Sequence, residues 1–277
     1  MTEPNRRRAL QILAAMTIGA AVGSGVSGCA STINAVGSAP IASPFAVSAA
    51  FTPFAGSTMV FQVRRICCIG RNYTAHAREM GSDPTYAQKL FFQKPTVAIQ
   101  KAAPGTVADC PDPTLTKNYR CEVAFGAALS NGGRDISVER ALQHVYAHAY
   151  AYSYALGLDM TRRDLQRAIG DEKEPWEIGK SFERSDPIGP LHLVSSIGHV
   201  QKDNIWLKVN GQVKRSSDLA NTVGCVAELI NKLSHSFELA PGDITYSGTP
   251  ENVGPVVRGD LIECHTDTLS GLLVKIV

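Results

Sequence analysis

The chain has no Cys-x-x-Cys pair and no surplus of either charge beyond its first segment, and each absence closes off a class of function. Its seven cysteines (Cys29, Cys67, Cys68, Cys110, Cys121, Cys225 and Cys264) lie scattered, which argues against a zinc ribbon or a thioredoxin-type motif. Cys67 and Cys68 adjoin in an apolar stretch and read as small core residues. Scattered thiols also suit a domain that folds in a reducing compartment. Of 27 basic and 25 acidic residues, Arg6, Arg7, Arg8 and Glu3 fall within residues 1–28, which leaves 24 against 24. Such a balance gives no attraction for a polyanion, so no nucleic-acid partner is expected. A hydrophobic content of 44% with 19% charged residues describes a globular protein rather than a disordered one. The loop Ser247-Gly248-Thr249-Pro250 is glycine-rich, but no Gly-Lys-Ser/Thr comes after it, so it is not a phosphate-binding P-loop.

The first segment is a targeting signal. Arg6-Arg7-Arg8 precede an apolar run from Ala9 to about Val22, shorter than the roughly 20 residues that span a bilayer. The paired arginines resemble a bacterial twin-arginine signal, and Val26-Ser27-Gly28-Cys29 resembles a lipobox in which Cys29 is lipidated. Residues 1–28 are therefore expected to be a signal and 29–58, rich in Ala, Ser, Pro and Gly, a flexible tether. A domain is expected over 59–277. Such a signal implies export to the periplasm, with a membrane contact only through Cys29; a start site placed too far upstream of a cytoplasmic protein is the alternative.

The polar cluster Asp159-Met160-Thr161-Arg162-Arg163-Asp164-Leu165-Gln166 ends an apolar, aromatic stretch. A carboxylate closing a buried strand costs several kcal/mol unless paired or metal-bound. Asp159, Arg163 and Gln166 stand at i, i+4 and i+7, one face if the chain turns helical there. That grouping suits a small anion and a cation; an ordinary surface ion pair is the blander alternative. His76 and Glu79 share a helical face at i, i+3, the arrangement a general base needs, or else a solvated pair. Lys94, held extended by Pro95, ends the apolar strand at Leu90. Glu122 enters a second apolar strand running to Leu129, and Lys180 sits in an apolar context after Trp176.

Elsewhere, residues 60–69 read as one strand, Val138–Val145 as a helix capped by Ser137, and Tyr146–Leu156 as a strand with tyrosines at even spacing. Ile205–Val213 is a hairpin through Asn210-Gly211, and Val223–Leu233 shows helical spacing. Many short strands with few helices suggest a β-rich α+β domain.

These residues, in this order, resemble the fumarylacetoacetate hydrolase superfamily, and most of all its bacterial acylpyruvate and fumarylpyruvate hydrolases. The resemblance rests on Arg71-Asn72-Tyr73 with His76 and Glu79-Met80, Phe91-Phe92 with Lys94-Pro95, Gly132-Gly133-Arg134-Asp135-Ile136, Gly157 through Gln166, Pro175-Trp176 with Lys180, and Pro241-Gly242-Asp243 with Gly248-Thr249-Pro250. It implies a mixed β-roll, usually a homodimer, and a divalent metal, commonly Mg²⁺ (Mn²⁺ or Ca²⁺ being alternatives), held by three carboxylates. Glu122 and Asp159 match two of these; Ala124 stands where the family has the third. Arg120 and Cys121 depart from the histidines often found there, and the segment between His144 and Asp159 is longer than the family pattern. Losing one of three carboxylates removes charge and a fixed ligand from a hard cation that wants about six oxygens. The implied activity is hydrolysis of a C–C bond in a small 2,4-diketo acid, with His76, Glu79 and Lys180 catalytic. Arg163, Gln166, Thr249, Tyr73 and Lys94 are expected at the substrate, and Glu122 and Asp159 at the metal. The alternatives are a decarboxylase or isomerase of the same superfamily, or a tethered binding protein with an impaired metal site.

Overall fold

A computed structural model describes residues 44–79, 83, 90–142, 153–251 and 254–277, apart from the side chain of Glu79. A compact unit spans Ala49–Val277, the second of the two into which the chain divides. The second unit starts earlier than the expected boundary at 59, because strand Phe51–Pro53 pairs antiparallel with Val60–Gln62. The expected signal lies outside the described residues. Among the described residues no helix is long and apolar enough to cross a membrane.

The fold is a mixed α+β arrangement built on two sheets. The larger one runs in the order Leu90–Lys94, Arg65–Gly70, Asp243–Tyr246, Val123–Ala128, Ser153–Leu158, Asp186–Ile188 and Ile99–Lys101, with His192–Leu193 added beside Ser153–Leu158. Its central strands Val123–Ala128 and Ser153–Leu158 are buried at every residue. Alternation assigns their side chains to two separate cores. Val123, Phe125, Ala127, Leu156 and Leu158 join the main cluster, whereas Ala124, Ala128 and Ala155 face a smaller one with Ile66, Ile188, Ile244 and Tyr246.

The second sheet, in the order Gln212–Asp218, Asn204–Val209, Leu261–Thr266, Leu272–Ile276 and Val107–Cys110, closes over the main cluster. It buries alternate residues, among them Ile205, Leu207, Ile262, Val274 and Ile276. Its first hairpin turns at Asn210 and Gly211, with φ of 51° and 76°, as the Asn-Gly pair predicts for a tight two-residue turn. Helix Val226–Ser236 adds Ala227, Leu229, Ile230 and Leu233 to the same core.

Several sequence boundaries shift. Residues 60–69 form two strands, Val60–Gln62 and Arg65–Gly70, not one. The helix expected from Val138 is described only over Val138–Ala141, and the strand expected from Tyr146 only over Ser153–Leu158; residues 143–152 lie outside the described set. Of the evenly spaced tyrosines, Tyr154 is described, and it is buried in the main core.

Candidate active site

Glu122 and Asp159 stand side by side where the two central strands end. The pairing of Val123 with Leu158 continues one step further, with the Asp159 N–H donating to the Glu122 carbonyl at 2.8 Å. Both extend the row of Ala124 and Gly157, on the face of the smaller core. Asp186 completes that row on the next strand: Ile188 pairs antiparallel with Gly157, which brings Asp186 opposite Asp159.

Cations converge on the two carboxylates. Lys180 Nζ donates to Glu122 Oε2 at 2.8 Å, Asp159 Oδ2 at 2.7 Å and Thr161 Oγ1 at 2.7 Å. Arg163 Nη2 donates to Glu122 Oε1, and its Nη1 donates to Gln166 Oε1 at 2.8 Å. Lys94 Nζ lies 3.0 Å from Asp159 Oδ1 and donates to the carbonyls of Met160, Lys180 and Ser185. Burial alone would raise the Glu122 carboxyl, but Lys180, Arg163 and His76 outweigh it and hold that group well below the usual carboxylate range.

Local structure explains why these side chains meet. Helix Arg163–Asp171 begins at Arg163, after the short strand Thr161–Arg162. Helix Glu177–Lys180 packs so tightly on it that a Cβ at Gly179 would lie 2.8 Å from that of Gln166, and this contact delivers Lys180 to the carboxylates. On the opposite wall the loop at Ser247 is tied by Asn72, whose side-chain amide donates to the Ser247 and Gly224 carbonyls at 2.8 and 3.0 Å. Gly248 takes a φ of +88° there, and a side chain would strike the Ile69 carbonyl at 2.8 Å.

A cleft of about 360 Å³, counting its open mouth, is lined by His76, Glu122, Asp159, Arg163, Gln166, Lys180 and Thr249. The rest of its wall includes Arg71, Phe92 and Trp176, to which no role was assigned from sequence. Arg71 adopts a left-handed φ of 60°, a rarely populated state for a non-glycine residue. Three expectations change. Asp159 does not pair with Arg163 on a helical face, since the helix starts only at Arg163 and the guanidinium turns to Glu122. Lys94 does not face the substrate space: its side chain is fully enclosed and supports Asp159 from behind. Tyr73 is buried under the wall, bridged through its backbone to Thr222. The proposed orienting role of Glu79 falls on a side chain outside the described set.

The face that carries Ala124 is packed by a tyrosine. Tyr246 lies across the smaller-core face, over two glycines: a Cβ on Gly126 would meet its Cε1 at 2.6 Å, and one on Gly157 its hydroxyl at 2.1 Å. That hydroxyl donates to Asp186 Oδ1 at 2.6 Å. Burial pushes the Asp186 carboxyl up to about 7, Lys94 and Tyr246 oppose this, and Asp159 adds to it. Among the described residues no cluster of three or more His, Cys, Asp or Glu side chains could hold a metal ion. Glu122 and Asp159 nevertheless offer hard oxygens converging on a point where a positive charge already sits. Among the described residues Asp159 Oδ1 accepts no hydrogen bond, though the Lys94 ammonium lies 3.0 Å away. Two such carboxylates fit a divalent cation that completes its shell with water and ligand oxygens, but not one caged by protein alone.

The profile of the family described as fumarylacetoacetate (FAA) hydrolase C-terminal matches residues 65–277. A crystal structure of fumarylpyruvate hydrolase from Pseudomonas aeruginosa, in complex with Mn²⁺ and pyruvate, superposes with a TM-score of 0.81 at 44% identity; it covers 85% of this chain and 99% of that one. A fumarylpyruvate hydrolase from Ralstonia sp is 38% identical over 181 residues, 65% of this chain and 88% of its own length. The human mitochondrial oxaloacetate tautomerase is 31% identical over 215 residues, 77% of this chain and 91% of its own.

Proposed function

The chain belongs to the fumarylacetoacetate hydrolase family, and from that premise we propose that it hydrolyses a C–C bond in a small 2,4-diketo acid of the acylpyruvate or fumarylpyruvate type. Likeness to a fumarylpyruvate hydrolase and to an oxaloacetate tautomerase supports an enzyme of this general hydrolase and isomerase kind. The observation that carries the finer reading is the convergence of Lys180, Arg163 and His76 on the Glu122–Asp159 pair within one cleft.

In this reading Arg163 and Gln166 orient the pyruvoyl end, and Thr249 adds a polar contact from the opposite wall. His76 takes a proton from water as the water oxygen adds to the carbonyl distal to the pyruvoyl group. Collapse of that adduct breaks the C–C bond, and the electron pair goes to the pyruvoyl fragment as its enolate. Lys180 stabilises the negative charge there, a place where fixed positive groups count for most in a water-poor site. The enolate then takes up a proton, giving pyruvate and a carboxylic acid. A divalent cation, Mg²⁺ or the Mn²⁺ present in the Pseudomonas relative, would be held by Glu122 and Asp159 and would polarise the chelated oxygens as a Lewis acid. We further expect a homodimer, exported and tethered through Cys29.

A second reading has support of its own. Each oxygen of Glu122 and Asp159 already faces a protein cation, and Ala124 supplies no third carboxylate. That arrangement suits a binding protein that holds an oxo acid without cleaving it. The deciding measurement is loss of diketone absorbance across an acylpyruvate panel, with Mg²⁺ or Mn²⁺ added. Turnover by the wild type that disappears in Asp159→Ala supports the hydrolase. Turnover absent from the wild type, but present in Ala124→Glu combined with Tyr246→Ala, supports the binding protein.

A further inference from the structure

A second cavity, of about 830 Å³ counting its open mouth, lies where helix Val226–Ser236 begins. That size falls within the roughly 300–1,000 Å³ that small-molecule sites occupy. None of the described residues lining it borders the cleft that holds Glu122 and Asp159. The larger sheet stands between the two. Phe125 and Tyr154 wall the cavity from the main-core face, whereas the row that Glu122 and Asp159 extend lies on the other face.

The cavity wall is aromatic and uncharged. The ring centroids of Phe125 and Tyr154 lie 4.8 Å apart, and the His199 ring meets Tyr154 edge-on at 6.3 Å. Leu142, Val200 and Leu219 add aliphatic surface. Burial holds the His199 imidazole below its usual range, so the ring is neutral at neutral pH. Of the described lining residues only Glu139 carries a charge, and it is exposed to solvent. The helix end asks for no anion either: the Cys225 N–H donates to Glu228 Oε2 at 3.0 Å, so the helix carries its own carboxylate there. An anion entering this cavity would leave water without compensation, the reverse of its position in the cation-rich cleft.

Polar groups nevertheless reach the wall. The Tyr154 hydroxyl and His199 Nδ1 satisfy one another at 2.9 Å. Ser247 differs. It is buried, its hydroxyl neighbours that of Tyr73, and neither has a well-formed hydrogen bond among the described residues. Buried hydroxyls in this state are costly, and a ligand oxygen beside Ser247 relieves the cost. An aromatic ring, for its part, gains from offset or edge-on contact with other rings.

We propose that this cavity is a second small-molecule site, which takes an uncharged phenol: the ring packs against Phe125 and Tyr154, and the hydroxyl bonds to Ser247. The site is separate from the cleft, and its preference for neutral molecules is the reverse of the cleft's. Cys225, an exposed thiol on the cavity wall, can report its occupancy, since the other cysteines among the described residues are buried.

The probe is 4-bromophenol, with 4-bromobenzoate as its charged counterpart. Crystals of the full-length protein soaked in 4-bromophenol should show a bromine anomalous peak inside the cavity, and those soaked in 4-bromobenzoate none there. In solution N-ethylmaleimide alkylates Cys225, and peptide mass mapping reads the rate. At about four times its Kd, 4-bromophenol should slow that rate about fivefold, because only free protein reacts, and equal 4-bromobenzoate less than about twofold. Ser247→Ala should raise the half-protecting concentration about fivefold, the effect of one lost hydrogen bond. Val138→Trp, which fills the mouth from an exposed position, should abolish protection. Asp159→Ala should be protected like the wild type, so the outcome is independent of the hydrolase reading. No bromine peak in the cavity, or a peak without protection in solution (binding at crystal concentration only), overturns the proposal. So does equal protection by the two probes, or unchanged protection in Ser247→Ala. Should Val138→Trp not fold, the bromine position and the rates of the other proteins decide.

Discussion

Replacing Lys180 with methionine separates the two jobs its ammonium performs. The side chain is 2% exposed and makes three short contacts, to Glu122 at 2.8 Å and to Asp159 and Thr161 at 2.7 Å. Breaking a buried ion pair by removing one partner costs roughly 3–5 kcal/mol. Here each carboxylate keeps another cation, Arg163 for Glu122 and Lys94 for Asp159, so the low end, about 3 kcal/mol, is expected. The same substitution vacates the point between the carboxylates for a divalent ion. A ligand at 100 times its Kd stabilises the folded state by about 2.7 kcal/mol, which offsets most of the loss.

Urea unfolding of wild type and Lys180→Met, in EDTA and in Mn²⁺, reads both effects. The variant should lose about 3 kcal/mol in EDTA and regain most of it in Mn²⁺, while the wild type gains less from the metal. The acid limb should also change. A carboxyl held low in the fold, like that of Glu122, contributes stability above its unfolded value of about 4.3 that is lost as pH falls through the folded one. Without Lys180 that contribution shrinks, so the curves of variant and wild type converge toward acid pH. A variant as stable as the wild type in EDTA, or equal metal stabilisation of the two, would refute the reasoning.

Three further outcomes are expected. Asp186 is raised from 3.8 to about 7, so the folded state holds a proton that the unfolded state releases, and stability falls as pH rises from about 4 to 7. Asp186→Asn keeps an acceptor for Tyr246 and should remove this slope, gaining up to roughly 4 kcal/mol at pH 8 in denaturant titrations; an unchanged slope places the titration elsewhere. Gly157→Ala should lower stability by more than about 2 kcal/mol, and Tyr246→Phe should not rescue it, because the new Cβ would still lie 2.5 Å from the ring Cζ. For the N-terminus, mass analysis of the mature protein should find a chain beginning at a lipidated Cys29, and a chain retaining Met1 or starting near Met59 removes the anchor.

How much was legible depended on the range of the interaction. The residues His76, Glu122, Asp159, Arg163, Gln166, Lys180 and Thr249 were named from local patterns and family order, and one cleft gathers them. The partners were not legible. Spacing at i, i+4 paired Asp159 with Arg163, but the helix begins one residue too late for that face to exist. Lys94 read as a strand-end cation facing a ligand, because no local signal shows that three backbone carbonyls from 66 to 91 residues away enclose its ammonium. The burial of Arg215 within the mostly exposed strand Gln212–Asp218 was not legible for a related reason. Simple alternation counts every residue of a strand once, and a bulge that adds one residue inverts the face of every residue beyond it.

The absent glutamate at 124 is where local and distant effects meet. Ala124 pairs with Gly157 and precedes Gly126 by one step of the same face, so it borders both glycines over which Tyr246 lies. A small residue at 124, glycine at 126 and 157, the tyrosine ring and its bond to Asp186 together make one packing solution for that face. A glutamate restored at 124 alone enters an apolar cluster already filled, and overpacking of this sort costs typically 1–3 kcal/mol before any charge is counted. Shortening Tyr246 to alanine makes the room that the new side chain needs. Ala124→Glu with Tyr246→Ala should therefore bind Mn²⁺ more tightly than Ala124→Glu alone, which calorimetry reads directly. Equal affinity in the two variants would mean that Tyr246 does not occupy the place of the missing carboxylate.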